Sequence, residues 1–431
     1  MLPSRGETIF ALSSGQPPAG IAVIRISGSA ASHALLVLAR RLPKPRIASL
    51  ALLTDPADGS PLDRALLLWL PGPSTVTGDD IAEIHCHGGR AVVAAIETAL
   101  EAIPGLRRAE AGEFTRRAFE NGRMDLTAVE GLSDLLAAQT QTQRRAALMM
   151  VEGHFSQRIE DWRERLLNLS AMAEAALDFS DEDDVPDATI ELRIGEGIRT
   201  LGVEISCLLS VPNAERLHDG VKVVLAGPPN VGKSTLLNAL VGRDAAIVSD
   251  IAGTTRDRID VPVAIAGTAF LFTDTAGLRA QTHDAIEAIG MDRAHIAMQA
   301  ADIILWLGDA ADMPRADAVL IAPQSDRQKG VLRPGLSLSA HTGEGMDRLI
   351  ALLLEQASLL LPGEGEFALH QRQKDRMAEA QYHLHMAGDA RDLLIVAEEL
   401  RLARRAVDAL TGQAGTEDML DRLFSGFCIG K

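Results

Sequence analysis

"VKVVLAGPPNVGKSTLLNAL", Val221 to Leu240, decides how the centre of this chain folds. An apolar run, Val221–Gly227, reads as a buried strand. Leu236–Leu240 reads as a helix. Between them "GPPNVGKST", Gly227–Thr235, satisfies G-x-x-x-x-G-K-[ST] in the strand–loop–helix setting that this motif requires. Gly227 and Gly232 let the backbone amides of Asn230, Val231 and Gly232 curl around phosphate oxygens, and the helix adds its positive end. Lys233 supplies a cation to the β and γ phosphates. The Ser234 hydroxyl can ligate Mg²⁺, and Thr235 adds a further phosphate contact. A chance glycine-rich turn does not explain strand, spacing, Lys-Ser and helix together.

Downstream, "FLFTDTAG" (Phe270–Gly277), "ADIILWLGDA", "AVLIAP" and "LSLSA" alternate with helical stretches up to about residue 361. That pattern is a doubly wound parallel sheet. Asp274 closes a strand, where it would hold Mg²⁺ through water. Thr275 and Ala276 lead to Gly277, whose amide can sense a γ-phosphate. "SDIAGTTRD" lies between the motifs, where a switch loop belongs, with Ser249, Asp250, Ile251, Ala252, Gly253, Thr254 and Thr255. Thr255 could ligate Mg²⁺ only while the γ-phosphate is present. Three motifs in this order indicate a GTPase-type domain. Ser339 and Ala340 of "SAHTG" are placed to brace the base.

The guanine signal departs from the usual Asn-Lys-x-Asp. Here Pro323 and Gln324 take the first two places and only Asp326 is kept. A carboxylate there still pairs with two N–H groups of guanine. Loss of the asparagine contact costs roughly 1–3 kcal/mol if nothing replaces it. GTP is expected, with ATP as the rival nucleotide. Leu278 stands where a Ras-like glutamine would orient water, so another group must neutralise the developing charge. Asn230, with Ser249, Ile251 and Thr254, could hold K⁺ for that purpose. An asparagine that tolerates an unusual φ is the equal alternative.

The chain has 431 residues, 47% of them apolar and only 3% aromatic, with a net charge of −17. It is long enough for two to four domains. So acidic a molecule needs local basic patches or a partner to hold nucleic acid. Cys86, Cys207 and Cys428 are far apart with no CxxC spacing, which disfavours a disulfide scaffold or structural zinc and suits a reducing compartment. With no signal peptide or membrane-spanning run, the chain reads as cytoplasmic, with no membrane contact.

Before about residue 120 the chain is mixed α/β, with strands in "GIAVIRISG", "ALLLWLPGPS" and "DIAEIHCHGG". From about 124 to 210 it is strongly helical, and helices resume after the linker "LPGEGE". His85 and His87 share one face of a strand while Cys86 points away, which is half a metal site at best. The Arg pairs at 107–108, 116–117, 144–145 and 404–405 read mostly as solvated helix faces. The tail "FCIGK", Phe427–Lys431, puts a cysteine fourth from the end. Gly430 and Lys431 rule out prenylation.

"GPPNVGKSTLLNAL", "IVSDIAGTTRD", "DTAGLR", "TGDDIAEIHCHGG", "AGEFTRRAFENGRMDLTAVEG" and "FCIGK" together resemble the MnmE (TrmE) family of tRNA modification GTPases over nearly the whole chain. The resemblance implies an N-terminal α/β domain (1–120) that binds a tetrahydrofolate and forms a homodimer. It also implies a discontinuous helical domain (121–215 and 363–431) into which a P-loop GTPase domain (216–362) is inserted. The implied cofactors are GTP, Mg²⁺, K⁺ and 5-formyltetrahydrofolate or a related tetrahydrofolate. The implied partners are the flavoprotein MnmG (GidA) and tRNA, whose wobble uridine receives an aminomethyl-type group at C5. By motif, Arg25, Glu83, Arg123 and Lys431 would contact the folate, although the family usually has Lys at the Arg123 place. Glu287 would orient water, and Cys428 would lie near the one-carbon unit. The competing function is a regulatory GTPase switch in ribosome assembly.

Overall fold

A computed structural model describes residues 6–178, 187–243, 246–247, 260–274, 295–326, 334–363, 365–412 and 417–431. Two compact units result: Met1–Ser133 with Thr411–Lys431, and Asp134–Leu410.

The first unit is built on a six-stranded sheet of β1 (Thr8–Leu12), β2 (Ala19–Ser27), β3 (Ser49–Thr54), β4 (Pro61–Leu70), β5 (Ile81–Gly88) and β6 (Leu106–Arg108), ordered β3-β4-β5-β2-β1-β6. Only β1 and β6 pair in parallel. Alternation drives the layering, because residues i and i+2 share a face. Ala22, Ile24, Ile26, Ile84 and Leu67 turn inward against the helices Ala31–Ala39 and Arg90–Glu101. Ile21, Val23, Arg25, Glu83, His85 and Leu66 share the opposite face, where Ile21 and Leu66 are exposed. β1 and β3, which the sequence reading did not single out, become the inner tail-bearing strand and the sheet edge.

The second unit contains four long helices, His154–Asp178, Asp187–Leu209, Gln371–Asp389 and Leu393–Leu410, each packed on two of the others. Their apolar stripes enclose Phe155, Trp162, Leu166, Leu201, Leu384, Leu400 and Val407. Trp162, fully buried, keeps its indole N–H satisfied by donating to Glu204 at 3.1 Å.

Between the second and third of these helices lies a seven-stranded sheet: β7 (Val221–Ala226), β8 (Ala246–Ile247), β9 (Asp260–Ile265), β10 (Thr268–Asp274), β11 (Ile303–Trp306), β12 (Val319–Ala322) and β13 (Leu336–Ser337). The order is β13-β12-β11-β7-β10-β9-β8. The first five strands in that order run parallel, as a doubly wound sheet requires. β9 and β8 add an antiparallel edge. The reason is local. Ala266 and Gly267 both take positive φ (47° and 83°), which closes a two-residue hairpin between β9 and β10. β7 is buried on both faces, with Val223 and Leu225 in one core and Val224 and Ala226 in the other. This is why Val223–Ala226 is an unbroken apolar run, with only Lys222 of the strand exposed.

Candidate functional site

The phosphate loop leaves the carboxyl end of β7, the place where open α/β sheets receive ligands. Gly227 takes φ 146°, and a Cβ there would sit 3.1 Å from the Leu307 backbone. Gly232 takes φ 109° and begins the helix Lys233–Arg243. Lys233 is buried, and its Nζ donates to the carbonyls of Gly227 (2.9 Å) and Pro228 (2.7 Å). Its charge is thus drawn over the mouth of the loop. Val231 is half-buried, while Asn230, Ser234 and Thr235 are exposed. Asn230 adopts φ 58°, so the turn by itself accounts for an asparagine there.

Ser234 and Asp274 come from different strand–loop units and meet. Ser234 Oγ donates to Asp274 Oδ2 at 2.5 Å. β10 is in register with β7, Asp274 opposite Leu225, and this delivers the carboxylate to the first turn of the helix. An oxygen pair of this kind at the edge of a phosphate cradle fits a small hard cation that keeps several waters.

At the base end, Ser339 is fully buried and donates to Asp326 Oδ1 at 2.7 Å. Its hydroxyl also accepts the Thr342 N–H. Ala340 follows it in the turn. Gln324 takes a left-handed φ of 61°, and its Nε2 lies 4.0 Å from where a Cβ on Gly232 would sit. The side chain therefore leans over the phosphate loop, a neutral group at the place of the usual lysine. Nothing in the sequence signalled that reach, which depends on a positive φ at a glutamine. Ser249, Asp250, Ile251, Ala252, Gly253, Thr254, Thr255, Thr275, Ala276, Gly277 and Glu287 lie outside the described residues.

The second group of candidate residues lies in the other unit. Arg25 and Glu83 are directly opposed across β2 and β5. Arg25 donates through Nε (3.0 Å) and Nη2 (2.9 Å) to Glu83 Oε1, and His85 Nε2 lies 3.1 Å from Glu83 Oε2. Burial pushes the Glu83 carboxyl up, but His85 and Arg25 outweigh it and hold the pKa below the ordinary glutamate value. Glu83 is thus kept ionised, an acceptor for paired N–H donors. Arg123 donates to the Thr75 carbonyl at 3.2 Å and is exposed.

The terminal residues join this unit. Gly430 is buried, its carbonyl accepts the Ser13 hydroxyl at 2.8 Å, and Ile429 bridges Ala111. Ser13 N in turn donates to the Val23 carbonyl at 2.7 Å, and Val23 is two residues from Arg25 on the same strand face. Phe427 is buried beside Phe424, while Cys428 is exposed and Lys431 half-buried. Ser13, which carries the anchor, went unnoticed because nothing in "ALSSGQ" marks it.

The other constellations resolve structurally. His87 pairs with Asp63 at 2.8 Å, and the buried Cys86 thiol is pushed up to about 11 by burial and then by Asp63. No group of three metal-ligating side chains gathers among the described residues. Two of the Arg pairs are not the solvated faces expected from the sequence. Arg107 binds Glu113 and Glu7, Arg108 binds Glu97, Arg116 binds Asp421, and Arg117 binds Glu113. Among the described residues no helix is long and apolar enough to cross a membrane.

Residues 8–123 match the family model for the GTP-binding protein TrmE N-terminus, and residues 126–428 match that for the MnmE helical domain. The tRNA modification GTPase MnmE of Rhizorhabdus wittichii is 58% identical over 434 residues, covering 99% of this chain and 97% of the relative. The proteins of the same name from Sphingopyxis alaskensis and Novosphingobium aromaticivorans are 56% and 53% identical. They cover 95% and 99% of this chain and 100% of each relative.

Proposed function

The chain belongs to the MnmE (TrmE) family of tRNA modification GTPases, and from that premise we propose that GTP hydrolysis here drives modification of the wobble uridine of tRNA. The reaction adds an aminomethyl-type group to C5, with a reduced folate as one-carbon donor and the flavoprotein MnmG as partner. The protein acts as a homodimer through its N-terminal domain, in the cytoplasm with its tRNA substrate.

The observation that carries this reading is the bond between Ser13 and Gly430, 417 positions apart. The tail, seated locally by Phe427 against Phe424, is tied at Gly430 to Ser13, which bonds the strand that bears Arg25. The anchor brings the last residues of the chain to the unit that carries the Arg25–Glu83 pair. Glu83 offers its ionised carboxylate to the N–H edge of a pterin. Arg25, Arg123 and Lys431 supply cations for the ligand's carboxylates, and Cys428 is exposed at the end of the tail, where the one-carbon unit would lie.

At the other site the Gly227–Gly232 amides and Lys233 hold the triphosphate, and Asp326, braced by Ser339, selects the base. Ser234, Asp274 and Thr255 would hold Mg²⁺, which when bound neutralises charge on the β and γ phosphates. Asn230, Ser249, Ile251 and Thr254 are the residues that would hold K⁺, and Glu287 would orient the attacking water. Gly277 would sense loss of the γ-phosphate and pass it on as movement of the domain.

The test is a mass-spectrometric inventory of wobble uridines from cells with and without the gene, alongside hydrolysis measured in K⁺ and in Na⁺. Unchanged uridines would leave the regulatory switch as the better reading. Equal rates in the two salts would remove the K⁺ assignment alone.

A further inference from the structure

From Thr8 to Thr54 the sequence contains no Asp or Glu, yet it carries Arg25, Arg40, Arg41, Lys44 and Arg46. In a molecule of net charge −17 this is a strong local reversal of sign. The fold concentrates it further. Arg40 ends the helix Ala31–Ala39 with a left-handed φ of 55°. Arg41 follows it, and Arg64 approaches from β4, the strand paired with the edge strand β3. Arg40, Arg41 and Arg64 line a surface cavity of about 600 Å³ together with Leu50, Leu52 and Thr54. All three arginines are exposed, as are Lys44 and Arg46 beside them.

None of these five cations pairs with a carboxylate among the described residues. Arg41 donates to the Leu50 carbonyl, and Arg46 donates to the Ser74 carbonyl at 2.6 Å. Such bonds fix a guanidinium in place without cancelling its charge. The acidic side chains of the adjoining β3–β4 connection accept hydrogen bonds from their own turn. Asp55 accepts from Ala57 N and Asp58 from Ser60 N, each at 2.8 Å. Asp63 is engaged by His87. By contrast, Arg107, Arg108, Arg116 and Arg117 of the same unit are all bound to carboxylates.

We propose that Arg40, Arg41 and Arg64, flanked by Lys44 and Arg46, form a docking surface for the RNA phosphate backbone. The inference rests on the reading that tRNA is a partner, and it assigns the contact to this unit. Guanidinium forks match phosphodiester oxygens in bidentate geometry. Contacts of this kind position an RNA without reading its sequence. They also give a globally acidic protein a way to hold a polyanion.

The experiment titrates unmodified tRNA with the full-length protein at several salt concentrations, comparing wild type with Arg40→Gln/Arg41→Gln/Arg64→Gln. A control removes equal charge elsewhere: Arg199→Gln/Arg376→Gln/Arg401→Gln. The expected result is about tenfold or more weaker binding for the first variant at low salt. Its salt dependence should be shallower by roughly 2–3 units in log–log slope. The control should stay near wild type, and GTP hydrolysis and thermal midpoint should be unchanged in both. Equal affinity of wild type and the cluster variant overturns the proposal and leaves the tRNA reading standing. An equal loss in the control variant overturns it as well, since net charge would then be the cause. A changed oligomeric state with unchanged tRNA affinity assigns the surface to a second copy and likewise overturns it. If wild type itself binds no tRNA at low salt, the docking surface falls, and the tRNA reading is decided by the wobble-uridine inventory.

Discussion

Ser234 Oγ and Asp274 Oδ2 stand 2.5 Å apart, so a hydrogen bond ties the start of the helix after the phosphate loop to the end of β10. Two segments forty residues apart are brought together by the parallel pairing of β7 with β10. This geometry makes Asp274→Asn a clean probe. The variant keeps the shape but loses the charge. We expect the Mg²⁺ concentration for half-maximal hydrolysis to rise about 10–100-fold, with folate binding unaffected. A magnesium titration of the GTPase rate checks it, and an unchanged midpoint would remove Asp274 from the cation site.

Guanine selection should improve when the ordinary motif is restored. Pro323→Asn/Gln324→Lys supplies a polar contact and a cation where Gln324 now leans over the loop. The ratio of ATP to GTP dissociation constants should rise about tenfold, equivalent to 1.4 kcal/mol. Competition of both nucleotides against one fluorescent analogue measures it. A fall in the ratio would mean that Gln324 is already the better reader.

The tail can be displaced at one atom. Gly430 has φ 94°, and a Cβ there would lie 2.1 Å from the Leu12 carbonyl oxygen. Gly430→Ala meets both a steric clash and a left-handed backbone costing roughly 1–2 kcal/mol. We expect faster release of the terminal residues by carboxypeptidase and weakened tetrahydrofolate binding, while GTP hydrolysis is retained. Wild-type folate affinity in this variant would sever the tail from the proposed folate site.

Glu113 gives the N-terminal unit a pH signature. It is buried; burial raises its pKa, but Arg107, the Glu110 amide and Arg117 together bring it below the ordinary value of 4.5. A depressed folded pKa stabilises above the unfolded value and is lost as pH falls through the folded one. Glu113→Gln should therefore destabilise most near neutral pH. Its deficit against wild type should shrink below about pH 4.5. Denaturant melts at pH 7 and pH 3.5 test the sign.

Trp162 is the largest fully buried side chain of the four-helix core. Trp162→Ala leaves a cavity, while Glu204 keeps its ion pair with Arg165, so a loss of about 3–5 kcal/mol is expected by urea unfolding. A loss under about 1 kcal/mol would show that the neighbouring helices can close the gap.

Much of this protein was legible in its amino-acid order alone. Gly227, Gly232, Lys233 and Ser234 sit in a local strand–loop–helix unit, and a local unit is written in consecutive residues. The inserted sheet and the two helical blocks follow from apolar period in the same way. Tertiary structure decided what depends on distant segments meeting. Ser13 grips Gly430, Asp274 reaches Ser234, Arg25 faces Glu83 across a register, and Gln324 bends over Gly232 through a positive φ. It also decided which arginines are spent on carboxylates, as Arg107 and Arg117 are, and which remain exposed around the Arg40–Arg64 cavity. The physical reason is that pattern and propensity act over a few residues. Ion pairs, anchors and charge clusters depend on strand register and chain return, which no short window of sequence contains.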